Sequence, residues 1–420
     1  MIAQVDSGRE SYVARMTSST GFDQATLERF ADLLVGFGAN VQPGQIVAIG
    51  GEIGKEQAVR AIAASAYRHG ARFVDASYFD LHVKHARLEF AADDTLDFVP
   101  PWFGERILAL GEQRAARIGL SGPIAPGLMD DIDPARAGRD QLPFVKESGK
   151  VVNDATTNWT IGPCPSRPWA ALVHPDLAED AALAKLVEEL VHILRLDEAD
   201  PVAAWRERFA TLIAAATRVT DRHFDALHFD GPGTDLTVGL LPTSRFQAAS
   251  FTTVGGIEHM PNLPSEEIFT TPDPVRTEGV VRATKPLALG GSIIRGLQVE
   301  FRDGRAVRID ADEGAEVLRG YAAKDEGAAR LGEVALVDGD GRIGKLGTVF
   351  FDTLLDENAA SHVALGSAYA MCLEGDADHD RMNQSQIHVD FMIGGDDVAV
   401  SGITADGVRV PVLQRGTWQV

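Results

Sequence analysis

The chain is predicted to join an α/β domain to an α+β one: an N-terminal domain on a parallel sheet over residues 1–230, then a β-rich domain with inserted helices over residues 231–420. Three observations carry this prediction. At 420 residues the chain exceeds what a single hydrophobic core usually supports. Between Phe22 and Asp80, apolar stretches of helical period alternate with stretches of strand period, the pattern of a βαβ unit. Beyond Asp225 the texture changes to short β-branched runs punctuated by glycine, the pattern of an antiparallel sheet or open barrel.

In chain order, the periodicity predicts a helix over Leu27–Phe37, a strand over Gln45–Ile49, a helix over Gln57–His69 and a strand over Arg72–Ala76. The turn Gly50-Gly51-Glu52-Ile53-Gly54, with Asp75 ending the next strand, shares ingredients with a dinucleotide-binding fingerprint. Its glycine spacing is wrong, and it reads as a tight strand-to-helix turn. Residues 100–116 are helical in character. The Thr/Pro/Gly-rich stretch from Asn153 to Pro168, followed by Trp169, brings in Trp159 and Trp169, which read as packing anchors or as the lining of a cleft. Amphipathic helices follow at Ala178–Leu196 and Ala203–Arg218. Strands are then expected at Leu236–Leu240, Gly279–Ala283, Ser292–Phe301, Ala306–Asp310 and Val398–Thr404. Asp356 is placed as a helix cap, with alanines carrying that helix through Met371, so that His362 and Tyr369 share one helix face.

Composition narrows the function classes. A formal charge of -22, with no Lys/Arg-rich run interleaved with aromatics, argues against nucleic acid; such a field favours cationic ligands, and solubility alone accounts for it equally well. Cys164 and Cys372 are too few for a disulfide framework, and residues 1–20 are polar and aperiodic, without the basic and apolar regions of a signal peptide. The cytoplasm is the expected compartment, and Met16 offers a second start. No apolar run approaches the length of a membrane helix, so no membrane partner is expected.

The chemical signal lies in the last third. Glu267, Glu333, Glu357, His362, His388 and Asp390 offer more carboxylates and imidazoles than one divalent cation needs, and Tyr369 adds a phenol. That donor set points to a two-metal hydrolytic site. His388 and Asp390, one residue apart, fall on the same face of an extended strand, as chelation requires. Glu333 interrupts the apolar run Gly332-Glu333-Val334-Ala335-Leu336-Val337, where an unpaired carboxylate is costly and a cation removes the penalty. Taken alone, Glu333 also reads as an exposed strand end and Glu267 as a solvated turn. Other constellations fail. Asp376-Ala377-Asp378-His379-Asp380 opens like a calcium loop but has Arg381 where glycine belongs, Gly119-Leu120-Ser121-Gly122-Pro123 breaks the serine nucleophile elbow, and the His-Glu-x-x-His helix motif is absent.

At these residues the sequence resembles the aminopeptidase T / aminopeptidase S family of metallo-aminopeptidases. The likeness is carried by Asn262 to Thr270, Asp325-Glu326-Gly327-Ala328, Gly332 to Leu336, Asp356 to His362 and His388-Val389-Asp390-Phe391-Met392-Ile393-Gly394, and extends upstream through Trp159-Thr160 and Thr234-Asp235-Leu236. The resemblance implies that Glu267, Glu333, His362, His388 and Asp390 hold two divalent metal ions, with Tyr369 beside them. It further implies a peptide substrate with a free N-terminus and a homodimer enclosing the sites. Glu357 is placed as a further ligand or a proton shuttle. Hard carboxylates with two imidazoles suit Zn, Co or Mn. Ser265, standing where threonine is usual, and the loop between Tyr369 and His388 are departures that bear on selectivity.

A second enzyme class resembles the same stretches: mononuclear Fe(II) ring-cleaving dioxygenases of the dihydroxypyridine type, in which two His and one carboxylate hold one ion. Retention of Glu267 and Glu333 beside His362, His388 and Asp390 favours two metals and hydrolysis. A non-catalytic homologue kept for binding predicts lost ligands, and all five are present.

Overall fold

A computed structural model describes residues 20–420 except Gln141 and Phe144. The expectations for residues 1–19, including the second start at Met16, lie outside the described residues.

The N-terminal part is a four-stranded parallel sheet in the order β2-β1-β3-β4, formed by β1 (Ile46–Glu52), β2 (Phe73–Phe79), β3 (Ala116–Ser121) and β4 (Trp159–Pro163). Val47, Ile49, Ala116 and Ile118 are buried in the main core, shared with the helices Gln24–Asp32 and Glu56–Arg68. The first helix begins where Asp23 accepts a hydrogen bond from the Thr26 amide, and it passes into a π-helical stretch, Leu33–Gly38. β1 runs three residues past the expected end because Gly50, Gly51 and Glu52 still pair with Ser77, Tyr78 and Phe79.

The remaining strands are β5 (Ala226–Gly231), β6 (Thr234–Leu240), β7 (Phe251–Thr252), β8 (Glu258–His259), β9 (Glu267–Thr270), β10 (Pro272–Arg282), β11 (Leu287–Leu289), β12 (Ser292–Ile294), β13 (Gln298–Arg302) and β14 (Arg305–Asp310), followed by β15 (Leu331–Val337), β16 (His362–Gly366), β17 (His388–Met392), β18 (Ala399–Ile403), β19 (Arg409–Gln414) and β20 (Thr417–Trp418). Eight of them form an antiparallel sheet, β14-β13-β10-β6-β5-β18-β19-β20, and four form a second, β17-β16-β15-β9. The fold class is therefore the expected one, parallel sheet first and antiparallel sheets after. β5 spans residue 230 and pairs with β6 and β18, so it belongs to the eight-stranded sheet.

Helices Glu179–Ile193 and Pro201–Thr220 lie close to their expected places. The stretch Ser292–Phe301 is two strands, β12 and β13, separated by a turn in which Gly296 takes φ +63. Trp169 is a fully buried anchor whose indole N–H donates to the Phe350 carbonyl at 2.5 Å, whereas Trp159 sits half-buried in β4 beside His259.

The helix expected from Asp356 through Met371 is a correction. Helix covers only Thr353–Glu357, and His362–Gly366 is strand β16. The Asp356 carboxylate turns back to accept from the Phe350 and Asp352 amides, and the Asn358 amide group takes the Leu354 carbonyl, which ends the turn. Val363 then pairs with Val334 on one side and Phe391 on the other, and that two-sided pairing outweighs alanine propensity.

Candidate metal centre

Register assembles the site. In the four-stranded sheet Glu267 pairs with Val337, His362 with Ala335, Glu333 with Ala364, Asp390 with Ala364 and His388 with Gly366. Paired residues of an antiparallel ladder point to the same face, and so do residues two apart in one strand. Glu267, Glu333, His362, His388 and Asp390 therefore share one face. Between them on it, Ala335, Ala364 and Gly366 have almost no side chain, which leaves room above the middle of the sheet. The aim of Glu333 depends on a bulge: the register shifts between Leu331 and Glu333, with Gly332 as the extra residue.

The side chains converge. His362 Nε2 lies 3.0 Å from Glu267 Oε2, 3.6 Å from Glu333 Oε1 and 3.9 Å from Asp390 Oδ1. His388 Nε2 lies 3.4 Å from Glu333 Oε2 and 3.4 Å from Asp390 Oδ2. Three interlocking triplets, Glu267/Glu333/His362, Glu333/His388/Asp390 and Glu357/His362/Asp390, each bring one donor atom per residue within 4.8 Å of one another.

Glu357 reaches the cluster from the end of the Thr353–Glu357 helix, with its Oε1 3.4 Å from Asn262 Nδ2 and 3.5 Å from Asn358 Nδ2. Tyr369 arrives from a loop, not from a helix shared with His362. Its ring packs against His388 at 5.1 Å and against Phe269 at 6.0 Å, and its backbone is held at both N–H and C=O by the Thr271 hydroxyl.

The donor set fits divalent cations. Glu267, Glu333, Glu357 and Asp390 are all buried, and among the described residues none of the four pairs with a Lys or Arg. Burying that much negative charge without a cation is prohibitive. Glu267 Oε2, although close to His362, makes no hydrogen bond of proper geometry. Both imidazoles direct Nδ1 at a backbone carbonyl, His362 to Ala360 at 3.1 Å and His388 to Ser367 at 2.8 Å. That fixes Nδ1 as the protonated nitrogen and turns each Nε2 lone pair into the cluster, the arrangement of metal-ligating histidines.

The proton affinities state the same demand for positive charge. Burial works against the protonated form of His362 and His388. For His362 the carboxylates of Glu267 and Glu333 outweigh it, and for His388 those of Asp390 and Glu333 do; both imidazoles are held well above their ordinary value. Burial would raise Glu333, but the two imidazoles beside it pull it down to about 2. Glu357 is pushed well up, first by burial and then by the Asp390 and Glu267 carboxylates. Burial also raises the Tyr369 phenol, so its O–H remains a donor.

Supporting residues escaped the sequence reading. Asn358 accepts from the Glu266 amide at 2.6 Å, linking the Glu357 helix to the strand of Glu267. Glu266 itself is fully buried and clamped by Arg195 and Arg208, and Arg208 also reaches Asp338. The signal for both was adjacency: each is a polar residue next to a proposed ligand or shuttle, with no apolar periodicity to explain it.

The profile of the family described as thermophilic metalloprotease (M29) matches residues 23–418. Aminopeptidase T of Thermus thermophilus is 42% identical over 402 residues, 94% of this chain and 98% of its own length. Aminopeptidase PepS of Streptococcus thermophilus is 35% identical over 411 residues, again 94% of this chain and 98% of its own length. The solved structure of wild-type AmpT from Thermus thermophilus aligns with a TM-score of 0.84 at 42% identity, covering 94% of this chain and all of that one. A 2,5-dihydroxypyridine dioxygenase from Pseudomonas putida KT2440 aligns with a TM-score of 0.52 at 14% identity over 94% of this chain and 98% of that one, a likeness of fold alone. With a profile matched nearly end to end and relatives well above 30% identity across the same span, the chain belongs to the thermophilic metalloprotease (M29) family.

Proposed function

We propose that this protein is a metal-dependent aminopeptidase that removes the N-terminal residue of peptides. In this reading two divalent ions, Zn, Co or Mn, are held by Glu267, Glu333, His362, His388 and Asp390. The observation that carries it is the register that sets three carboxylates and two imidazoles on one buried face, with Glu333 and Asp390 each near both imidazoles. When bound, such ions supply Lewis acidity for the scissile carbonyl and an acidified water as nucleophile.

The chain's own groups do the rest. The Ala360 and Ser367 carbonyls orient the two imidazoles, and the sheet beneath keeps water from that side. Tyr369 donates its O–H to the carbonyl oxygen as negative charge develops there. Glu357, whose Oε1 accepts from the Asn262 and Asn358 side-chain amides, uses its other oxygen to take the proton released by the attacking water and hand it to the leaving amine. Tyr369→Phe is expected to lower kcat by about 100-fold with little change in KM, the usual cost of losing one oxyanion donor. Steady-state kinetics on a leucyl anilide checks this, and a near-normal kcat would remove the role.

The reading is tested by stripping the protein with a chelator, reloading it with Zn, Co, Mn or Fe(II), and assaying a panel of aminoacyl-p-nitroanilides. Activity restored by Zn, Co or Mn supports it. Silence with all four metals, together with Fe(II)-dependent oxygen uptake on a dihydroxypyridine, would transfer the protein to the dioxygenase class.

Three further expectations belong to the same reading. The chain is organised as an N-terminal α/β part and a C-terminal part that carries the reaction, with peptide rather than nucleic acid as partner. It works in the cytoplasm, supported by two free, buried cysteines, and no helix among the described residues is long and apolar enough to cross a membrane. It is a homodimer: edge strand β2 and the region after it leave Phe73, Val83, Phe90, Phe98 and Trp102 exposed, apolar side chains that a second copy would cover. Light scattering should give twice the chain mass, and a monomer at micromolar concentration would count against it.

A further inference from the structure

In an open α/β sheet, ligands bind outside the carboxyl ends of the strands where the connections change direction. Here that point lies between β1 and β3, because β1 leads to β2 on one side while β3 sits on the other. The crevice is filled from within the chain. Asp352 Oδ2 accepts from the Gly122 amide at 2.8 Å and Oδ1 from the Ser121 hydroxyl at 3.2 Å, both at the end of β3. Lys55, with a side chain only 1% exposed, stands nearby, its Nζ 2.9 Å from Glu52 Oε2 and 3.1 Å from the Leu120 carbonyl. Trp169 clamps the preceding residues through the Phe350 carbonyl.

Asp352 occupies the N-cap position of the Thr353–Glu357 helix, yet although the Leu355 amide is close enough to favour its charged form, its carboxylate makes no cap hydrogen bond of proper geometry to that helix. The charge is turned across to the N-terminal sheet instead. At the other end, Asn358 fixes the helix to the strand of Glu267 through the Glu266 amide. Glu357 thus hangs from a one-and-a-half-turn helix tied at its far end by Asn358 and at its near end by Asp352. A buried carboxylate is a costly way to glue two layers together, and an apolar side chain would do that alone. What the carboxylate adds is direction.

We propose that Asp352 is a positioning residue: its hydrogen bonds to Ser121 and Gly122 set the depth at which Glu357 meets His362 and Asp390. The proposal rests on the aminopeptidase reading for its kinetic consequence and on geometry alone for its structural one. The test is a double-mutant cycle of Asp352→Ala and Glu357→Gln on the metal-loaded full chain, with an aminoacyl-p-nitroanilide as probe. Asp352→Ala is expected to lower kcat about tenfold or more, as small misplacements do, with KM within about twofold. In the Glu357→Gln background the same change should cost less than about twofold. Equal losses in both backgrounds would overturn the proposal, because Asp352 would then act on something other than Glu357.

Ser121→Ala removes one of the two donors and serves if Asp352→Ala does not fold; its smaller loss should likewise vanish in the Glu357→Gln background, and a loss that persists there overturns the proposal. Amide hydrogen exchange of residues 353–358 supplies a readout independent of activity. Faster exchange there in Asp352→Ala, or in Ser121→Ala, supports the proposal, and unchanged exchange refutes it. If the unmodified protein hydrolyses no anilide with any metal, the aminopeptidase reading falls and the exchange result alone decides this one.

Discussion

Glu333→Gln is expected to lower kcat/KM for peptide hydrolysis by about a thousandfold and to weaken metal retention, while the fold survives. Glu333 is central by geometry, its Oε1 facing His362 at 3.6 Å and its Oε2 facing His388 at 3.4 Å, so one carboxylate serves two of the three triplets. Glutamine keeps the volume and rotamer but removes a negative charge and replaces one carboxylate oxygen with an amide NH2, which cannot ligate a cation. Changes to groups that merely support a ligand already cost 10- to 100-fold in affinity or activity, so a residue shared between two ligand sets should cost more. The measurement is steady-state hydrolysis with metal content determined on the same sample. Near-normal activity with a full complement of metal would show that Glu333 is not part of the centre.

The residue before it carries the largest expected effect on stability. A Cβ on Gly332 would lie 2.3 Å from the Gly366 carbonyl oxygen and 2.4 Å from that of Ser367. Both obstacles are backbone, and Gly366 is itself confined, with φ +109 and its own Cβ position 2.1 Å from the Ile387 carbonyl oxygen. Neither can swing aside as a side chain would. Gly332→Ala is therefore expected to cost about 3 kcal/mol, the upper end of overpacking in a dense interior, and to disturb the bulge that aims Glu333. Denaturant melts of the two proteins check the first part and metal content the second. A variant that unfolds at the same denaturant concentration would mean that β15 and β16 part easily, and the account of the bulge would fail.

Much of this was legible from residue types alone. The apolar periods of Phe22 to Asp80 announced the parallel sheet, and the spacing of His388 and Asp390 announced a shared strand face. The Asp356 to Met371 stretch was misread because its cue was local: alanines favour helix, while the pairing of Val363 with Val334 and Phe391 is invisible until three distant strands are side by side. Register is the other illegible quantity. Nothing in the sequence says that Ala364 stands between Glu333 and Asp390, or that the Gly332 bulge restores that alignment. The supports at Asp352 and Asn358 were missed for a similar reason, since their partners Ser121, Gly122 and Glu266 lie far away along the chain.

The four-stranded sheet also dictates an order of events during biogenesis. Its proposed ligands come from β9, β15, β16 and β17, and the stretch from Glu267 to Asp390 must be synthesised and zipped into register before the donors share a face. Such long-range closure is slow, and no short nascent segment holds more than two of the five proposed ligands, His388 and Asp390. Metal capture therefore comes after chain collapse: the ion locks a finished scaffold rather than seeding it, and occupancy becomes a quality mark that only correctly assembled molecules acquire.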